Sequence, residues 1–209
     1  MIITDAIVIR TVDYKESDRI LTLFSPDEGK ITASARGVRN KTSKLKYAAQ
    51  MFNYGLYELT SAGGSVTGCT QKDGFFSVTE DVASFYAAGA GAWFLSRDET
   101  SLGGSYGELF GSFLKFMTAM KYKSSPYYAL SLFLYEVGEI NGVLPLRESL
   151  GSVGSGEGIF YVGRRLAGLS YGDYGRFSDE ECRKFLRMLE GFYAKDYGRI
   201  SGLEILLNV

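Results

Sequence analysis

Between Lys30 and Lys46 the chain carries six basic side chains, Lys30, Arg36, Arg39, Lys41, Lys44 and Lys46, and no acidic one. The whole chain is net −1, so the rest of it is acidic on balance and the positive charge is a local stripe. Such a stripe can follow a phosphate backbone even on a near-neutral protein. Lysine and arginine would neutralise phosphates there, and Ser34, Thr42 and Ser43 would add neutral donors. Tyr47, Phe52 and Tyr54 lie close by in sequence and offer ring faces on which bases could stack. A solvated lysine-rich loop has the same composition, and aromatic rings are above all core payload. Charge by itself leaves both readings open.

Other chemistries find little material. There is no His, which removes the commonest general base and metal ligand at neutral pH. Cys69 and Cys182 are the only cysteines, so no Cys₄ or Cys₂His₂ metal site can be assembled from side chains of this chain. The carboxylates form no recognisable acid–base or metal constellation by spacing. Gly151-Ser152-Val153-Gly154-Ser155-Gly156 superficially resembles a phosphate loop. It lacks the Lys-Ser/Thr of a Walker motif, and its G-x-x-G-x-G spacing is not that of a dinucleotide fingerprint. The expectation is a protein that is not an enzyme and needs no cofactor.

The elements around the basic stripe read as strands. Ala6–Arg10 is a short apolar strand and Arg19–Ser25 a second. Pro26-Asp27-Glu28-Gly29 is a turn. Lys30–Arg36 alternates, with Ile31, Ala33 and Ala35 on one side and Lys30, Thr32, Ser34 and Arg36 on the other. Phe52–Thr60 follows, and Ala62-Gly63-Gly64 turns the chain into Val66–Phe76. Five short strands with Gly and Pro turns fit a small barrel of the OB type, with the stripe between the third and fourth strands, a position that on such barrels borders an oligonucleotide groove.

After residue 77 the period changes to that of helices. Thr79 is a candidate N-cap for a helix with Val82, Phe85, Tyr86, Gly89, Trp93 and Phe94 roughly on one face. Ser105 and Glu108 form a capping-box pattern ahead of a stripe of Leu109, Phe110, Phe113, Leu114, Met117 and Met120. Ser125 caps a third helix with Pro126 at its first position; Leu130, Phe133, Leu134 and Val137 form its buried side, and Asn141-Gly142 ends it. Ser178 and Glu181 make another capping box before Phe185, Leu186, Leu189 and Phe192, and a short helix near Leu203–Leu207 closes the chain. Residues 147–176 are rich in glycine and predict a structured excursion with one hairpin around Gly158–Val162. The expected domains are residues 1–77, an all-β five-stranded barrel, and residues 78–209, mainly α-helical with the irregular excursion.

With 209 residues, 45% hydrophobic and 22% charged, the chain has the make-up of a folded globular protein. It lacks the roughly 20-residue apolar run of a membrane span. Its N-terminus lacks the basic and apolar regions of a secretory signal, and two isolated cysteines fit a reducing cytosol.

The sequence also resembles the DNA repair protein RecO family. The resemblance rests on Ala6-Ile7-Val8-Ile9-Arg10, Tyr14-Lys15-Glu16-Ser17-Asp18-Arg19-Ile20, Leu23-Phe24-Ser25-Pro26-Asp27-Glu28-Gly29-Lys30, Arg36-Gly37-Val38-Arg39 and Ser43-Lys44-Leu45. It continues at Phe133-Leu134-Tyr135-Glu136, Asn141-Gly142-Val143-Leu144-Pro145 and Tyr197-Gly198-Arg199-Ile200-Ser201-Gly202. It implies an OB-fold domain followed by a helical one, binding of single- and double-stranded DNA, strand annealing, and recombinase loading onto strands coated by single-strand-binding protein. It implies RecR and the tail of single-strand-binding protein as partners, and a cytoplasmic, nucleoid-associated location. Many members of that family carry four zinc-binding cysteines after the Gly-x-x-Pro segment; this chain has none between Gly142 and Gly175, so no zinc is expected. The DNA-binding residues expected are Lys30, Arg36, Arg39, Lys41, Ser43, Lys44 and Lys46. The alternatives are a non-enzymatic interaction scaffold with a vestigial OB domain, and an RNA-binding OB protein.

Overall fold

A computed structural model of the chain describes residues 1–97, 106–146 and 158–209. They form two compact units, Met1–Phe76 and Ser77–Val209.

The first unit is a five-stranded antiparallel sheet of β1 (Ile2–Tyr14), β2 (Asp18–Ser25), β3 (Gly29–Ala35), β4 (Tyr54–Leu59) and β5 (Val66–Asp73), in the order β3-β2-β1-β4-β5. β1 is much longer than Ala6–Arg10 because it serves two partners. Ile2–Ile7 pair with β4, Ile7–Tyr14 pair with β2, and the register shifts between Val8 and Arg10. The apolar run Ala6–Arg10 is only the middle of the strand, from which Ala6, Ile7, Val8 and Ile9 are buried. β3 alternates as its sequence predicts, with Ile31, Ala33 and Ala35 in the core and Lys30 and Thr32 exposed.

The expected five-stranded OB-type barrel is not formed. β3 and β5 are the two edges of an open sheet; Ser34 of β3 makes an isolated parallel bridge with Ser65, just ahead of β5, where the Ser34 amide donates to the Gly64 carbonyl at 2.8 Å. The connection from β3 to β4 takes up core space instead. Val38, Ala48 and Ala49 bury into the cluster built by Val8, Leu21, Leu23, Tyr57 and Leu59, with Leu45 and Tyr47 packed beside them. The Tyr47 hydroxyl donates to the Cys69 carbonyl of β5 at 2.5 Å. A side chain thus satisfies a β5 backbone group.

The second unit contains all but the first residue of α1 (Phe76–Glu80), then α2 (Val82–Arg97), α3 (Tyr106–Lys121), α4 (Pro126–Ile140), α5 (Ile159–Leu166), α6 (Asp179–Tyr197) and α7 (Leu203–Asn208). α4 is its centre, packed by α2, α3 and α6 and buried nearly all round, as expected of a helix apolar on every face. Ser125 caps it by accepting from the Tyr128 amide, and Pro126 opens it. Phe116 and Phe133 stack with ring centroids 4.9 Å apart, and Phe113 packs 5.5 Å from Phe133. The Ser178–Glu181 capping box opens α6 as its sequence predicts.

Three local expectations need correction. Thr79 lies inside α1, and the cap of α2 is Asp81, whose carboxylate accepts from the Ser84 amide at 2.8 Å. The buried face of α2 is its small-residue face, Ala87, Ala88, Ala90, Gly91 and Ala92 with Phe94 and Leu95, whereas Val82 and Phe85 are exposed. The hairpin expected around Gly158–Val162 is helix α5, followed by a 3₁₀ turn at Tyr171–Arg176. Ser105 of the expected second capping box, and Gly151–Gly156, lie outside the described residues.

The described part of the glycine-rich segment is held by packing and hydrogen bonds. Val162 and Leu166 are buried, and the Tyr128 hydroxyl donates to the Ser170 carbonyl at 2.8 Å. The Tyr171 hydroxyl and the Ser112 hydroxyl both donate to Glu136 Oε2, at 3.0 and 2.8 Å, and Arg165 lies over the Phe177 ring while pairing with Glu181. Among the described residues no group of three or more His, Cys, Asp or Glu side chains could hold a metal ion, and no helix is long and apolar enough to cross a membrane.

Candidate nucleic-acid interface

The basic stripe begins on the outward side of β3 and continues through the β3–β4 connection. Lys30 is exposed on the strand, and Arg36, Arg39, Lys41, Lys44 and Lys46 are exposed beyond it, with Ser43 half-buried among them. The connection is built from consecutive tight turns. Asn40 N–H donates to the Gly37 carbonyl, Ser43 N–H to that of Asn40, and Ala48 N–H to that of Leu45, each at 3.1 Å. Gly37 sits at φ +64, a conformation that glycine takes at no steric cost. Two apolar side chains pin the segment, Val38 buried and Leu45 packed against the same core. The charges between them are therefore raised on an anchored frame.

A second frame holds the start of this segment. β1 and β2 pair out to Tyr14–Asp18, well past the end of the β1–β4 ladder, and β3 pairs beside β2 as far as Arg19–Ala35, so the β1–β2 turn is the tip of a three-stranded ribbon. Arg39 N–H donates to the Ser17 carbonyl at 2.9 Å, and its guanidinium donates to the Lys15 carbonyl at 3.3 Å. The Gly37 amide donates to Asp18 Oδ1 at 2.8 Å. Asp13 receives Arg19 Nε at 2.7 Å on one oxygen and lies 3.4 Å from Arg39 Nε on the other. Arg19 also donates to the Ala49 carbonyl at the far end of the connection.

The carboxyl groups respond as these contacts dictate. The Arg19 hydrogen bond, followed by the charges of Arg19 and Arg39, holds Asp13 below the usual carboxylate range against partial desolvation. The Gly37 amide, followed by the Ser17 hydroxyl and the charges of Lys15 and Arg36, does the same for Asp18. Part of the stripe's charge is thus committed within the protein, because Arg39 faces Asp13. Lys41, Lys44 and Lys46 have no ion pair among the described residues. In sequence the six cations look alike, whereas in the fold Arg39 braces the loop and Lys41, Lys44 and Lys46 present charge. No local signal marks that division, because the bracing partners lie 19 to 30 positions away.

The expected stacking residues also divide. Phe52 is fully buried at φ +65, and its amide donates to the Val8 carbonyl, so its ring is core. Tyr47 is half-buried and spends its hydroxyl on β5, and Tyr54 is half-buried with Lys72 Nζ 5.4 Å from its ring. A polar cluster lies beneath them. The Tyr57 hydroxyl donates to the Ala48 carbonyl, and Asn53 donates to the Tyr57 oxygen and accepts from Gln71. Burial drives the Tyr57 hydroxyl far above its ordinary pKa, so it stays a neutral donor that fixes the end of the connection.

Comparison with known proteins bears on this unit. Residues 1–73 match the family model described as Recombination protein O N terminal. A DNA repair protein RecO of Desulfitobacterium hafniense is 54% identical over 55 residues, which cover 26% of this chain and 20% of the relative. One from Halalkalibacterium halodurans is 48% identical over 52 residues, covering 25% of this chain and 20% of the relative. One from Bacillus cereus is 35% identical over 78 residues, covering 37% of this chain and 31% of the relative. The chain therefore spans between a fifth and a third of the length of these curated relatives.

Proposed function

We propose that this chain, whose residues 1–73 match the RecO N-terminal family model, is a non-catalytic DNA-binding protein of recombinational DNA repair. The finer role proposed is that of a mediator that anneals complementary strands, with RecR and the tail of single-strand-binding protein as partners. The observation that carries DNA binding is the trio Lys41, Lys44 and Lys46, without ion pairs among the described residues and raised on a loop anchored by Val38, Leu45 and Tyr47. Lys30, Arg36, Arg39 and Ser43 complete the proposed interface. Annealing needs no proton transfer and no covalent intermediate. A fixed set of cations that screens phosphate repulsion between two strands suffices, and an anchored loop presents them without first being ordered.

The test is the triple variant Lys41→Ala, Lys44→Ala, Lys46→Ala, titrated with duplex DNA, single-stranded DNA and RNA at several salt concentrations. Three lost phosphate contacts should flatten the dependence of log affinity on log salt by roughly 2–3 units on duplex, from about 0.9 per contact. The melting curve should be unchanged, because exposed charges contribute little net stability. A folded triple variant with the parent's affinity, slope and annealing rate would remove this loop from the interface. Tighter binding of RNA than of DNA by the parent would favour the RNA-binding alternative.

A further inference from the structure

The ribbon tip that the arginines hold carries a ring with no structural employment. Tyr14 ends β1, paired with Asp18, and is 49% exposed. The contact found on its ring is Lys15 Nζ, 5.2 Å from the centroid. Lys15 sits at φ +52, an uncommon conformation for a side chain with a Cβ, and its carbonyl accepts from Arg39 of the basic connection. The tip is therefore fixed in place beside the stripe.

We propose that Tyr14 is a stacking platform for an unpaired base, adjoining the phosphate-binding loop, and that it makes this interface favour single-stranded nucleic acid. The proposal rests on the function assigned above and adds the strand preference. Every nucleobase offers a π-face, so a ring standing beside a row of cations binds single strands with little regard to sequence, whereas paired bases in a duplex are already stacked on each other. The surroundings suit a polyanion. Lys15 lies at the ring and the Arg39 guanidinium holds the Lys15 carbonyl, and of the nearby acids Asp13 is engaged by Arg19 and Arg39 and Asp18 by the Gly37 amide; Glu16 is the remaining acidic side chain on the tip. Phe52, which the sequence suggested for this task, is buried, and Tyr47 is half-buried.

The experiment compares the parent, Tyr14→Ala and Tyr14→Phe, each as the full chain. The probes are an oligothymidylate carrying one 2-aminopurine and a duplex of equal length. Tyr14→Ala should bind the single strand at least about fivefold more weakly, the low end of what one base–aromatic stack contributes, and should lose the quenching of 2-aminopurine that stacking produces. Duplex affinity should stay within about twofold and the melting curve should not move. Tyr14→Phe, which keeps the ring, should restore both signals. If Tyr14→Ala binds and quenches like the parent while the triple lysine variant loses affinity, the platform is refuted and the basic loop stands. A parent that binds neither probe overturns the platform and the DNA-binding reading together.

Discussion

Gly138 sits in α4 where two opposing effects of adding a methyl group can be weighed. In an open helix interior, alanine is favoured over glycine by about 1 kcal/mol. At Gly138 the new Cβ would point into the Tyr193 hydroxyl and come within 2.5 Å of Leu144 Cδ1 and 2.7 Å of its Cγ. Tyr193 cannot yield freely. It is buried, its ring packs edge-on against Phe94 at 4.7 Å, and its hydroxyl donates to the Leu134 carbonyl at 2.8 Å. Overpacking of a well-packed core costs roughly 1–3 kcal/mol. Displacing the hydroxyl adds the loss of a buried hydrogen bond, about 1 kcal/mol. The sum outweighs the propensity gain, and Gly138→Ala should destabilise by about 1–3 kcal/mol. At roughly 3–5 °C per kcal/mol for a unit of this size, the melting temperature should fall by several degrees. Gly89 in α2 is the control, since nothing lies within 4 Å of a Cβ built there, so Gly89→Ala should stabilise by up to about 1 kcal/mol. Thermal melts and urea titrations followed by circular dichroism read both changes. A Gly138→Ala protein as stable as Gly89→Ala would show that α4 and α6 do not pack as described.

Two further outcomes follow from the titrating groups. Asp13 and Asp18 are held below the ordinary carboxylate range, so the folded protein binds fewer protons than the unfolded chain in acid; their stabilisation is present above about pH 4 and is lost as pH falls through the lowered values. The Gly37 amide resonance, followed by NMR from pH 6 to 2, should report Asp18 protonation below the range of a free aspartate, and a titration at or above that range would contradict the contact. Burial pushes the Cys182 thiol up to about 12 and raises Cys69 as well, so at pH 8 a thiol reagent should modify the native protein slowly and label both sites once it is unfolded. Rapid native labelling of Cys182 would mean that α6 is not buried against α4 as found.

How far the fold could be read from sequence depended on whether its signal was local. The alternation of β3, the Ser178–Glu181 box and the Ser125-Pro126 start of α4 are local patterns, and each is where its residues placed it. The buried face of α2 was missed because alanine and glycine carry little hydrophobic signal, while its larger side chains Val82 and Phe85 point to solvent. α5 was misread because glycines surround Ile159-Phe160-Tyr161-Val162, a run of strand-favouring residues whose helical spacing shows only when Val162 and Leu166 are found buried together. Openness of the sheet was illegible for another reason. Whether β3 pairs with β5 depends on what the connection between β3 and β4 does, and five strands read alike either way. For the candidate interface, the charges were legible from composition, but their bracing by Asp13, Asp18 and the ribbon backbone joins residues distant in sequence.

The strand order also sets a folding itinerary. Three of the four ladders, β1–β2, β2–β3 and β4–β5, join neighbours in the chain, and only β1–β4 joins distant ones. Local hairpins close quickly, on the order of microseconds, whereas a non-local pairing must first close a long loop. The β1–β2–β3 meander and the β4–β5 hairpin can therefore form as separate pieces, with their docking along β1 as the slow step. Val8 exchanges amide–carbonyl bonds with Phe52 and Asn53 at that junction, one rung beyond the β1–β4 ladder. The loop that must close to make it is the one that carries Lys41, Lys44 and Lys46, so the charged segment takes its final shape in the event that completes the sheet.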